Sequence, residues 1–128
     1  MKVKINNYIE IRDAGEVGLG VFALKDIKKH TLIETNVGLR TPGSLKSSVF
    51  ERYRFPFKDK DGVVIANYLL LGGGSIYNHS YTPNITWEQE EDEPIYNFYT
   101  SVDVKKGDQL LHNYGNSYWR NKHPLKLN

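Results

Sequence analysis

Apolar residues in this chain come mostly in short runs that alternate with polar residues, and turn-forming residues separate the runs. Successive side chains of a strand point to opposite faces, so this alternation predicts strands with one buried face. Very little apolar content recurs at helical spacing. The pattern predicts a mostly β fold, with strands at residues 8–12, 20–24, 31–35, 53–57, 63–68, 85–89, 96–102 and 109–113.

Turn chemistry predicts two hairpins and leaves room for only short helices. Asp59-Lys60-Asp61-Gly62 separates one pair of strands, and Glu90-Glu91-Asp92-Glu93-Pro94 separates another. Short helices are predicted at residues 44–53, with Ser44 as N-cap, and at residues 116–121, with Asn116 as N-cap.

Size and composition narrow the function classes. A chain of 128 residues predicts one domain, residues 1–128, with its core at about 8–119 and a C-terminal tail at 120–128. The net charge of +2 comes from scattered lysines and arginines, which gives little support to a nucleic-acid partner. The absence of cysteine excludes disulfides, thiolate zinc sites and a cysteine nucleophile. The sequence contains no run of about 20 apolar residues, the length that a membrane helix needs. A soluble, intracellular protein is therefore expected.

One glycine motif is Gly18-Leu19-Gly20-Val21-Phe22-Ala23, which formally satisfies the G-x-G-x-x-A dinucleotide pattern. That fingerprint works by opening a helix, whereas Val21 and Phe22 continue into a predicted strand. A Rossmann site is therefore rejected. The paired glycines predict a tight turn between strands, whose backbone could also approach a ligand closely.

A second motif covers residues 72–84, Gly-Gly-Gly-Ser-Ile-Tyr-Asn-His-Ser-Tyr-Thr-Pro-Asn. Without a following Gly-Lys-Ser/Thr, its glycines do not form a phosphate-binding P-loop. Asn78 and His79 stand in a turn-rich, aromatic setting where a lone histidine is more often a turn residue than a catalyst. The four histidines of the chain have no zinc-ligand spacing, so no metal site is predicted.

Aromatic residues stand out at residues 107–119 and 52–57. Taken alone, Tyr114, Tyr118 and Trp119 would be core or rim aromatics, and Tyr53 would belong to a packed edge strand.

Taken in order, these motifs resemble the SET domain, especially its small viral and bacterial members without pre-SET or post-SET zinc segments. Residues 18–23 look like the family's G-x-G-V-F-A, residues 78–84 look like N-H-S-x-x-P-N, and Tyr114-Gly115 closes a segment similar to G-E-E-L-x-x-x-Y-G. The resemblance implies a mostly β, β-clip fold of several small curved sheets with a C-terminal pseudoknot and short helices. In that pseudoknot the segment around residues 113–115 threads beneath the loop around residues 78–80.

The resemblance also implies an activity, namely a protein-lysine N-methyltransferase that moves a methyl group from S-adenosylmethionine to the ε-amine of a protein lysine, histone tails included. The alternative is a catalytically inactive SET-like module that binds peptides. A nucleic-acid-binding β-domain is a weaker rival. Neither a metal nor a membrane nor direct nucleic-acid binding is expected. The short C-terminal segment suggests a homodimer in which the partner subunit completes the lysine channel. The protein is expected in the cytoplasm or, if it is viral, in the host nucleus.

Cofactor-binding roles carry over by position. Gly18, Leu19 and Gly20 would meet the methionine portion of S-adenosylmethionine through backbone groups. Asn78 and His79 would hold the adenosine portion, His79 mainly through its backbone. The resemblance also implies that Trp119, with Tyr53 and Tyr114, contacts the cofactor.

Catalytic roles carry over in the same way. Tyr114 matches the family's catalytic tyrosine, while Tyr53 and Tyr118 would wall the lysine channel. His112 stands where the family commonly has phenylalanine or tyrosine, at a position that influences how many methyl groups are added, so that number is left open. His30 stands where a glycine commonly ends a turn. Glu34 and the acidic turn at residues 90–93 could attract a basic target, although a solvated hairpin tip is the plainer interpretation of that turn.

Overall fold

The computed structural model describes residues 2–4, 6–41 and 53–114, and strands dominate this part of the chain. The mostly β prediction is confirmed. The elements are β1 Lys2–Lys4, β2 Ile9–Asp13, a 3-10 turn Gly15–Val17, β3 Leu19–Ala23, β4 Leu32–Arg40, β5 Arg54–Lys58, β6 Val64–Leu71, β7 Asn78–His79, β8 Ile85–Gln89, β9 Ile95–Thr100 and β10 Gln109–His112. The helix predicted at 44–53 lies outside the described residues except for its last position, and the one at 116–121 lies wholly outside them.

The strands form two five-stranded sheets, ordered β1-β2-β3-β10-β7 and β5-β6-β4-β9-β8. Every strand predicted from the sequence is present, with ends shifted by a few residues. The prediction missed β1 and β7, and it ended β4 too early. Asn36 and Gly38 are poor strand formers, yet β4 continues through both because it pairs with β6 and β9 on its two sides.

Both predicted hairpins are confirmed. In the β5–β6 turn, Asp59 Oδ1 accepts hydrogen bonds from the backbone N–H groups of Asp61 (2.9 Å) and Val63 (3.0 Å). Gly62 supplies a positive φ of 79° there. In the β8–β9 turn, the N–H of Glu90 donates to the carbonyl of Ile95 over 2.8 Å. Turn residues therefore set both connections, as the sequence indicated.

The second sheet is strongly curved, so that its two edge strands meet. The side-chain amide of Gln89, on β8, exchanges two hydrogen bonds of 2.8 Å with the backbone N–H and carbonyl of Lys58, on β5. Tyr96 Oη donates to the carbonyl of Pro56 over 2.8 Å. The concave face holds Phe55, Tyr96 and Phe98, which join one core cluster with residues of the first sheet.

Strand β10 brings the sequence-distant motifs together. It pairs antiparallel with β3, with Leu110 opposite Val21, and parallel with β7, with His112 opposite His79. The predicted meeting of the Asn78–Ser80 loop with the approach to Tyr114 is thus present. The rest of the predicted threading, at residue 115, lies outside the described residues. Within the described ranges, no helix is long and apolar enough to cross a membrane.

Candidate active site

The glycine turn and the Asn78 loop are joined directly. The side-chain amide of Asn78 donates to the carbonyl of Leu19 (3.0 Å) and to Gln109 Oε1 (2.8 Å). A β-carbon added to Gly20 would lie 2.7 Å from Gln109 Oε1 and 2.9 Å from the β-carbon of Ala14, so a larger residue would force these neighbours to move. Gly18 has φ of 90° and open space around it. The predicted strand-to-strand turn is confirmed, and β3 follows it instead of the helix that a Rossmann site requires.

Tyr114 is held by bonds at both its backbone and its hydroxyl. Its N–H donates to His79 Nδ1 over 3.0 Å, and its hydroxyl donates to the carbonyl of Tyr77 over 2.6 Å. The imidazole of His79 is buried, so its side chain supports Tyr114 from inside the fold. That any ligand contact of His79 would come mainly from its backbone stays a prediction.

A cavity of about 310 Å³ lies beside Tyr114. Small-molecule sites typically begin near this volume. Most of its walls are aromatic or apolar, and the lining comprises Tyr53, Arg54, Phe55, Pro56, Val64, Asn67, Gly74, Ser75, Tyr77, Trp87, His112, Asn113 and Tyr114. The structure therefore brings Tyr53, His112 and Tyr114 together at one cavity. Tyr118 and Trp119 lie outside the described residues.

His112 is a buried, neutral wall of this cavity. Its ring stacks on Phe55 with centroids 5.7 Å apart and lies 4.6 Å from the ring of Tyr114. Burial, with a smaller contribution from nearby His79, lowers the pKa of His112 to about 3. Its Nδ1 is buried and has no hydrogen-bond partner within the described part of the chain. At neutral pH this side chain therefore contributes an uncharged polar aromatic surface.

Glu34 was predicted at the surface, where it could attract a basic target. Its predicted role at the surface is wrong, because the side chain is buried, with 8% of the residue exposed. The cause is a β-bulge between Leu32 and Glu34, after which the even-numbered positions of β4 face inward. A shift of one residue exchanges the two faces of a strand. Strict alternation in the sequence carries no signal for such a bulge.

The buried Glu34 organises the glycine-rich loop. Its Oε1 accepts hydrogen bonds from Asn36 Nδ2 (2.7 Å) and from the N–H of Gly73 (2.9 Å). The N–H of Gly74 in turn donates to Asn36 Oδ1 over 2.7 Å. A β-carbon at Gly73 would lie 2.6 Å from Glu34 Oε2. Gly73 and Gly74 thus allow the loop backbone to approach these buried polar groups closely. Asn36 and Gly73 belong to a buried hydrogen-bond network that the sequence motifs did not predict.

No group of three or more histidine, aspartate or glutamate side chains in the described ranges is arranged to hold a metal ion.

Comparisons with known proteins agree with the geometry. Residues 18–115 match the model of the SET domain family. The chain is 31% identical over 121 residues to the histone-lysine N-methyltransferase of Schizosaccharomyces pombe that is specific for H3 lysine-37, covering 90% of this chain and 78% of that protein. It also resembles the crystal structure of a proposed histone methyltransferase of Plasmodium falciparum, with a TM-score of 0.65 and 30% identity, covering 90% of this chain and 99% of that one.

Proposed function

Because this chain belongs to the SET domain family, we propose that it is an S-adenosylmethionine-dependent protein-lysine N-methyltransferase built as a single SET domain. The observation that carries the proposal is the position of Tyr114. Its hydroxyl is fixed on the carbonyl of Tyr77 at the wall of an aromatic cavity, and its backbone is tied to His79 of the Asn78 loop. The phenol of Tyr114 thus lies where the aromatic cavity meets the Asn78 loop, so it can contact groups that are bound at either place.

The cofactor end lies at Gly18, Leu19, Gly20 and Asn78. S-adenosylmethionine would supply, when bound, an electrophilic methyl group on a sulfonium. The turn fits this group because a β-carbon at Gly18 would meet nothing within 4 Å, so the backbone there is open to a ligand. Asn78 is bonded to the carbonyl of Leu19, which fixes this side of the site before any ligand arrives. Trp119 would cover the adenine.

The lysine end is the cavity beside Tyr114, with Tyr53 at its rim. Aromatic walls strip water from an entering ammonium group, and loss of hydration lowers the pKa of a lysine below its usual value of about 10.4. A neutral amine with a free lone pair results, as nucleophilic attack requires. The neutral imidazole of His112 adds no charge to this channel, and Tyr118 would complete its wall.

Tyr114 would orient the amine. Its proton is engaged by the Tyr77 carbonyl, so towards the incoming nitrogen its oxygen would act as a hydrogen-bond acceptor. Holding the amine in line with the methyl group can contribute several kcal/mol to catalysis without a covalent intermediate. No side chain of the described cavity is assigned as a general base.

A histone is the proposed substrate class, supported by the fission yeast relative that acts on H3 lysine-37. The test is incubation of the purified chain with radiolabelled S-adenosylmethionine and a panel of histones and other proteins. Label on lysine side chains supports the enzyme. Cofactor binding in calorimetry without label on any substrate supports the alternative, an inactive peptide-binding module. A homodimer that completes the channel stays a prediction, which sedimentation equilibrium tests.

A further inference from the structure

Tyr77 connects two parts of the site through its two ends. Its backbone carbonyl accepts the hydroxyl of Tyr114 at 2.6 Å, while its own hydroxyl donates to Glu34 Oε2 at 2.5 Å. Between these ends its ring stacks on Phe98, with centroids 5.0 Å apart and planes 24° from parallel. The position of the carbonyl that holds Tyr114 therefore depends on where the Tyr77 side chain is anchored.

The anchor is a buried carboxyl group with fixed donors. Besides Tyr77, Glu34 receives the side-chain amide of Asn36 and the N–H of Gly73, four residues before Tyr77. Burial, with a further contribution from Glu34, raises the pKa of Tyr77 well above its usual value, so its hydroxyl keeps the proton that it donates. A short bond to a buried carboxyl group is strong and directional. Glu34 thus fixes both the start and the end of the loop that leads to Asn78.

We propose that Glu34 is a positioning residue for methyl transfer, acting through Tyr77 to set the hydroxyl of Tyr114. The proposal rests on the function proposed above. Glu34 is not among the described residues that line the cavity. The carboxyl group of Glu34 holds the phenol of Tyr77, and the backbone carbonyl of Tyr77 holds the phenol of Tyr114. The effect of Glu34 on the reaction passes through this chain of contacts.

The decisive variant is Glu34→Gln, which keeps the size of the side chain but replaces one acceptor oxygen by a donor amide. Depending on which way the amide faces, either the bond that Tyr77 donates is reversed or the bond that Gly73 donates is lost. Glu10→Gln is the matched control, because Glu10 is equally buried, with 8% exposed, and instead pairs with Arg12 (3.3 Å) in the first sheet. Tyr77→Phe removes the same bond from the other side and serves if Glu34→Gln does not fold.

The first measurement needs no activity. In protein labelled with carbon-13 at the tyrosine ζ carbon, the NMR signal of Tyr114, assigned by its loss in Tyr114→Phe, reports the hydrogen bond of its phenol. We expect this signal to shift in Glu34→Gln and in Tyr77→Phe and to stay in place in Glu10→Gln. If Glu34→Gln or Tyr77→Phe folds and its Tyr114 signal does not move, the proposal is overturned. This holds whether or not the protein proves to be a methyltransferase.

The second measurement is kinetic. We expect Glu34→Gln to lower kcat by about tenfold or more while the KM for peptide stays within about threefold, because only the orientation in the transition state is affected. In a Tyr114→Phe background, Glu34→Gln should give less than about a twofold further loss of the residual rate. If Glu34→Gln lowers the rate of the Tyr114→Phe protein by the same factor as it lowers the rate of the wild type, Glu34 acts by a route other than Tyr114. That result refutes the positioning role.

Discussion

Asn84 and Leu111 exchange hydrogen bonds across the junction of the two central motifs. The N–H of Leu111 donates to Asn84 Oδ1 over 2.8 Å, and the N–H of Asn84 donates to the carbonyl of Leu111 over 3.1 Å. The side-chain amide of Asn84 also donates to the carbonyl of Gln109 over 2.9 Å. One side chain therefore satisfies two backbone groups of β10, the N–H of Leu111 and the carbonyl of Gln109.

Replacing this residue should destabilise the junction. Asn84→Ala leaves the N–H of Leu111 and the carbonyl of Gln109 without their partner, and each unsatisfied buried group costs about 1 to 3 kcal/mol. We expect a loss of about 2 to 4 kcal/mol in the free energy of unfolding, measured by urea denaturation. Asn97→Ala is the control, because the side chain of Asn97 bonds the side chains of Thr35 and Glu90 at the exposed face. Equal losses of unfolding free energy in the two variants would contradict this role of Asn84.

The buried His112 predicts a pH dependence of stability. Its folded pKa of about 3 lies below the unfolded value of about 6.5, so between these values the unfolded chain binds the additional proton. The stability contributed by His112 is complete above pH 6.5 and is lost as the pH falls toward 3. From pH 7.5 to pH 5 the expected loss is about 2 kcal/mol.

The measurement is the free energy of unfolding at both pH values in the wild type and in His112→Phe. The aromatic replacement should remove about 2 kcal/mol of the pH dependence. His30→Asn, which replaces an exposed histidine, should keep it. A His112→Phe protein with the same acid sensitivity as the wild type would show that the imidazole is not held neutral by burial.

His30 adopts a backbone conformation that suits glycine. Its φ is 64°, and its N–H donates to the carbonyl of Thr100 over 2.8 Å. This is the position where the family commonly has a glycine. His30→Gly should raise the free energy of unfolding by up to about 1 kcal/mol, because relief of the left-handed strain outweighs the added flexibility of the unfolded chain.

Lys29→Gly is the matched control for this turn, since Lys29 is exposed and has a negative φ. It should lower the free energy of unfolding by about 0.5 to 1 kcal/mol. Thermal or urea denaturation gives both values. A destabilised His30→Gly would mean that the imidazole makes a contribution larger than the strain at its backbone.

Local patterns predicted the strands and hairpins well, and the motifs placed Asn78, His79 and Tyr114 at one junction. The strands and hairpins depend on side-chain alternation and turn residues, which are written in neighbouring positions. The junction of Asn78, His79 and Tyr114 was implied only by the resemblance of the motifs, taken in order, to the SET domain. The role of Glu34 could not be predicted in this way. It depends on a bulge that reverses the faces of β4 and on the distant Tyr77, so only the three-dimensional register shows that this acid faces inward.

The most direct test compares the methyl-transfer rates of Tyr114→Phe and Tyr99→Phe with that of the wild type, using mass spectrometry of a histone substrate. Tyr99 is a half-buried tyrosine of β9 that does not line the cavity. We predict that Tyr114→Phe lowers the rate by about 100-fold or more, as loss of a preorganised active-site hydrogen bond does, while Tyr99→Phe stays within about twofold. A Tyr114→Phe protein that transfers methyl groups to lysine at the wild-type rate would contradict the account.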